Sequence, residues 1–117
     1  MAEKADTAWP IALRPLKNGR DWLLLEPYRR GSWTVPQGFV TDLASSPAPL
    51  RAFVGRWGKH GPAAILHDYH YRTPLDGLTR KMADRIMFEI MKQDGVGWLQ
   101  RRAIYAAVRL GGGKYWV

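Results

Sequence analysis

The chain has 117 residues, 46% hydrophobic and 24% charged, which is the size and balance of one globular domain and excludes a disordered, collagen-like or coiled-coil chain. It has no cysteine, so disulfides, thiolate metal sites and cysteine nucleophiles are excluded as well. Lys plus Arg is 18 against 10 for Asp plus Glu, a formal charge of +8, which favours contact with something acidic: nucleic acid, an anionic surface or an acidic partner. The basic residues form only doublets, Arg29-Arg30, Arg80-Lys81 and Arg101-Arg102, as a solvated basic face also would.

Residues Met1 to Ala8 are polar, lack the apolar core of a secretory signal and read as a loose arm. No stretch approaches the ~20 apolar residues that span a bilayer. The expectation is a soluble protein made without export processing, with no membrane span.

Two β-like runs follow, Trp9 to Leu16 and Asp21 to Tyr28, around Asn18-Gly19, the strongest short hairpin signal because both residues accept positive φ. Leu23 and Leu25 point to one face, and Trp22 and Leu24 to the other. Pro10, Pro15 and Pro27 cannot donate to a ladder and belong at strand ends or edges. A turn at Arg29-Arg30-Gly31 leads into Ser32 to Val35, Gly38 breaks the run, and Phe39 to Thr41 resume it.

Residues 42–60 read as a loop with a brief helix at Leu50 to Val54. The rest, to about residue 113, is helical. Pro62 suits a first helical turn, predicting a helix over 61–72. Thr79 is an N-cap for a helix to about Asp94, with Ala83, Ile86, Met87, Ile90 and Met91 at helical spacing. Gly95 ends it, and a last helix runs from about Gly97 to Leu110. Its apolar stripe is expected to be Leu99, Ala103, Ala106, Ala107 and Leu110. Strands followed by helices give an α+β fold: an N-terminal antiparallel hairpin or small sheet packed on a C-terminal bundle of about three helices, as a single domain over 1–117.

The most informative stretch is Ala63 to Tyr71, AAILHDYHY. His67 shares a helical face with Tyr71 at i,i+4 and with His70 at i,i+3. If the first two helices form an antiparallel hairpin, residues equidistant from the loop stand level. His67 lies five residues before Arg72 and Asp84 five after Thr79, each roughly 7–8 Å up. The spacing therefore sets His67 against Asp84, and Tyr71 against Arg80.

Such a cluster has three readings. As a divalent metal site for Zn, Mn or Fe, it takes His67, Asp84, Asp68 and Asp42 as ligands, with His70 in reserve, and makes His67, Asp68 and Asp84 the catalytic candidates of a hydrolase. As a structural network, Asp84 fixes the His67 tautomer, and Asp68 caps or pairs with Arg85 or Arg72. The third is metal-free acid/base catalysis. Asp42 is also explained as a local cap ahead of Ser45, and Ser45 and Ser46 lack a glycine elbow. His60 is expected in an exposed loop, and Trp33, Trp57, Trp98 and Trp116 as packing residues rather than base-stacking ones.

The run Trp33-Thr34-Val35-Pro36-Gln37-Gly38-Phe39-Val40-Thr41-Asp42-Leu43-Ala44-Ser45-Ser46-Pro47, the run Ala64 to Tyr71, Arg80 and Ala83-Asp84, and the Tyr105 to Gly111 tail together resemble a family of small phage and prophage proteins, the domain of unknown function thirteen fifty-three. The resemblance spans about residues 33 to 113. It implies a viral origin, with the host cytoplasm or the phage virion as the location and a phage or host protein as the partner, and names no reaction. By residue matching, Asp42, His67, Asp68, Tyr71, Arg80 and Asp84 are its signature positions, with Tyr71 and Arg80 as binding candidates; His70 stands where relatives carry an apolar residue. The first expectation is a non-enzymatic virion or tail accessory component or host-interaction factor. A small metal-dependent hydrolase of cell wall or nucleic acid, and a basic nucleic-acid-binding protein, stand beside it.

Overall fold

The computed structural model describes residues 11–18, 21–41, 59–73 and 75–116. The fold is α+β: among the described residues, short antiparallel strands are followed by three helices. Two compact units meet in sequence at Asp42–Leu43.

In the first unit, β1 (Leu13–Pro15), β2 (Trp22–Leu24) and β5 (Val40–Thr41) form one antiparallel sheet with β2 central. Leu13 pairs with Leu24 and Pro15 with Trp22, the register of a hairpin about the Asn18 region. The Asn18 side chain accepts from the Asp21 backbone N–H at 2.9 Å and donates to the Asp21 carboxylate at 2.7 Å. Gly19 and Arg20 lie outside the described residues. Pro15 ends an edge strand, where its missing donor costs no ladder bond. β3 (Tyr28–Arg30) and β4 (Trp33–Val35) form a separate two-stranded ladder around Gly31. Leu24, Tyr28, Val35 and Thr41 are buried. The strands are two or three residues long, shorter than the apolar runs that contain them.

In the second unit, α1 (Gly61–Arg72), α2 (Arg80–Gln93) and α3 (Trp98–Gly111) pack in chain order, with α2 in the middle. A short 3-10 turn, Gly113–Tyr115, follows. Pro62 sits in the first turn of α1, where no intrahelical donor is lost. Thr79 caps α2, its hydroxyl accepting from the Met82 N–H at 3.1 Å. The end of α2 is a Schellman motif: the Val96 N–H reaches the Met91 carbonyl, the Gly95 N–H reaches that of Lys92, and Gly95 takes φ +80°. Val96 is buried beside this turn.

The α1 core residues are Ala63, Ala64, Ile65 and Leu66; those of α2 are Ala83, Met87, Ile90 and Met91. Three expectations are corrected. His60 is buried rather than in an exposed loop, because it leads directly into the buried first turn of α1. Trp98 is 59% exposed rather than a packing residue. The α3 stripe also faces the other way. Leu99 is 65% and Leu110 89% exposed, whereas Ile104, about 140° around the helix from Leu99, is buried. The helix offers two apolar stripes, and the polar contacts of its last turn with Arg80 and Asp84 select the one carrying Ile104 and Val108. The segment 42–60 is described only from residue 59, so the brief helix expected at Leu50 to Val54 and Trp57 lie outside the described residues.

Candidate functional site

His67 and Asp84 meet across the α1–α2 hairpin. His67 Nε2 lies 2.7 Å from Asp84 Oδ1. The Tyr71 hydroxyl, one turn further along α1, donates to the same oxygen at 2.5 Å. Arg80 Nε donates to the Tyr71 oxygen at 3.1 Å. Both pairings expected from the loop count are therefore present.

The rest of the cluster comes from α3. Arg109 Nη1 donates to Asp84 Oδ2 at 2.7 Å. Arg80 Nη2 donates to the Val108 and Arg109 carbonyls at 2.6 and 2.9 Å. Those carbonyls belong to the last turn, where the Val108 carbonyl also accepts from the Gly112 N–H at 2.9 Å, and they carry the negative end of the helix dipole, so a guanidinium is well placed there. The backbone then turns back at Gly112. A Cβ on that residue would stand 3.0 Å from the Tyr71 hydroxyl and would run into the Val108 carbonyl. Trp116 meets the Tyr71 ring edge-on at 5.2 Å, and the His67 ring lies 4.2 Å from that of Tyr71.

Asp84 is fully buried, yet its carboxyl is held below the ordinary carboxylate range. Burial pushes it up; hydrogen bonds from His67, Tyr71 and Arg109 outweigh that push. Tyr71 is shifted the other way. Burial, then donation to Asp84, raises its hydroxyl well above the usual phenol value, so it stays a donor. With Asp84 anionic, the geometry calls for the Nε2–H tautomer of His67, which leaves Nδ1 with a lone pair when the ring is neutral. The His67 side chain retains 12% exposure.

The other sequence candidates fall elsewhere. Asp68 pairs along its own helix with Arg72, Oδ1 to Nε 3.1 Å. His70 is fully buried on α1, its pKa lowered to about 4 by burial and then by neighbouring His67, so it is neutral near pH 7. Asp42, Ser45 and Ser46 lie outside the described residues. Among the described residues, no three His, Asp or Glu side chains converge as metal ligands. An ion held between His67 and Asp84 would have to replace their direct hydrogen bond.

The sequence did not single out Arg109 or the close approach at Gly112, and it marked Trp116 as a packing residue without naming Tyr71 as its partner. A buried acid in the middle of α2 signals that a cation is needed; it does not say which of the arginines on α3 supplies it.

A family model described as "Protein of unknown function (DUF1353)" matches residues 22–108, and the chain belongs to that family. No curated protein and no solved structure matches it. No helix among the described residues is long and apolar enough to cross a membrane.

Proposed function

We propose that the protein is a phage-encoded, non-enzymatic factor, a virion or tail accessory component or a host-interaction protein, in which the His67–Asp84 cluster clamps three helices together. The segments around Val35 to Thr41 and Ala64 to Tyr71, similar to those of small phage and prophage proteins, support the viral origin. One observation carries the structural role: both oxygens of the fully buried Asp84 are taken by donors of the protein, His67, Tyr71 and Arg109. A carboxylate engaged in this way holds scaffold geometry and has little capacity left for an incoming ligand.

Metal-dependent or metal-free hydrolysis is the second reading. The partly exposed His67 imidazole backed by a buried acid favours it, since general bases are oriented in this way. The two readings separate on purified protein given peptidoglycan, DNA or RNA with Zn²⁺, Mn²⁺ or Fe²⁺. The clamp reading expects no turnover that depends on His67, and a protein that co-purifies with phage particles or with a host factor. Turnover abolished by His67→Ala, with the fold retained, overturns it.

A further inference from the structure

The fold leaves one apolar stripe of α3 outside. Leu99, Ala103, Ala106 and Leu110 recur at spacings of four, three and four residues, so they form one line along the helix. Leu99 and Leu110 are 65% and 89% exposed, Ala106 is exposed and Ala103 partly so. The two leucines stand roughly 16 Å apart along the axis, with only methyl groups between them. A shallow slot with a ridge at each end results, and side chains of a second helix fit such a slot. Beside it lies exposed Trp98, with the Arg102 guanidinium over its ring at 4.9 Å.

The charge around this stripe is of one sign. Helix α3 carries Arg101, Arg102 and Arg109 and no acidic residue. Arg109 is committed to Asp84 and the Arg101 Nη1 to the Val96 carbonyl, which leaves Arg102 at the edge of the stripe. Apolar contact at the centre and a cation at the rim suit a partner that is apolar along one line and acidic beside it. A second copy of the chain would bring Arg102 against like charge at a net +8. A lipid surface would find two alanines where an inserting helix carries bulk. Nucleic acid would gain nothing from the leucines.

We propose that the outward face of α3 docks an acidic amphipathic helix of a partner protein, with partner leucines over Ala103 and Ala106 and a partner carboxylate on Arg102. The inference does not depend on the role of the His67–Asp84 cluster, and each can fail without the other. The probe is a labelled synthetic helix with leucines on one face and glutamates beside them, titrated with the full chain by fluorescence anisotropy. Its counterpart has lysine in place of every glutamate. Parallel titrations use phosphatidylserine vesicles and an oligothymidine, and sedimentation velocity follows self-association. The expected result is saturable binding of the acidic peptide and at least tenfold weaker binding of the lysine peptide. Ala106→Arg, which fills the slot, and the Leu99→Ser/Leu110→Ser pair should each weaken binding about tenfold while the melting curve is unchanged. Arg102→Glu should weaken the acidic peptide and strengthen the lysine one. Equal binding of both peptides, no binding of the acidic one, or an effect of these variants on vesicles, oligonucleotide or dimerisation instead overturns the proposal.

Discussion

Arg109 and Asp84 form an ion pair at 2.7 Å between the last turn of α3 and the first turns of α2, on the carboxylate oxygen that His67 and Tyr71 leave free. Asp84 thereby bonds to all three helices. It ties α1 through His67 and Tyr71, belongs to α2, and ties α3 through Arg109. Arg80 repeats the connection by joining the Tyr71 hydroxyl to two α3 carbonyls.

Removing the acid should therefore cost more than removing any one donor. Asp84→Ala leaves a phenol, an imidazole and a guanidinium facing a dry site, and a loss on the order of 3 kcal/mol is expected. His67→Ala removes one of several donors to Asp84 at the partly exposed edge and should cost about 1 kcal/mol. Urea denaturation of the two variants gives the comparison, and equal losses would contradict it.

The register of the α1–α2 hairpin was legible because it needs only two boundaries and a count. Arg72 at the end of α1 and Thr79 at the start of α2 are those boundaries, and the level placement of His67 and Asp84 followed. The rotation of α3 was not legible. Its sequence offers two apolar stripes, and hydrophobic spacing alone favours the one with the leucines. Burial follows the other, which brings Arg109 to Asp84 and the last carbonyls to Arg80. Long-range polar contacts decided the rotation, and these are invisible to local periodicity. The strands show the same limit: apolar runs marked their positions, but the ladder ends were set by pairing partners such as Val40 and Thr41.

Gly112 should tolerate no side chain. Gly112→Ala places a methyl against the Val108 carbonyl and the Tyr71 hydroxyl, and a loss of about 1–2 kcal/mol is expected from the overpacking. At Gly113 the new methyl would stand 3.6 Å from Arg80, an ordinary contact, so Gly113→Ala should be close to neutral there. Melting curves of the two variants should separate clearly.

Acid should destabilise the fold in two stages. His70 is neutral in the fold to about pH 4 but takes a proton near 6.5 once unfolded, so the unfolded chain binds more protons between those values. Stability should fall as pH drops from about 6.5 to 4, and His70→Leu should flatten that slope. Asp84 is depressed in the fold, so its contribution is present above the ordinary carboxylate pKa and is lost at still lower pH, as the folded group protonates. Urea midpoints taken across this range test both stages.

The cap of α2 offers an independent check on how the hairpin is set. Thr79→Ala removes the acceptor for the Met82 N–H and should cost about 1 kcal/mol, whereas Thr79→Asp should retain most of the stability. Loss of the same size in both would assign the effect to something other than capping.

The most direct test of the clamp is a double-mutant cycle between Asp84→Asn and Arg109→Gln, read by urea denaturation with and without added Zn²⁺ or Mn²⁺. A clamp requires the pair to be coupled by about 1 kcal/mol or more, with midpoints indifferent to the ions. Additive losses, together with a wild-type midpoint raised by either ion and an unresponsive Asp84→Asn variant, would instead make Asp84 a metal ligand and contradict the account.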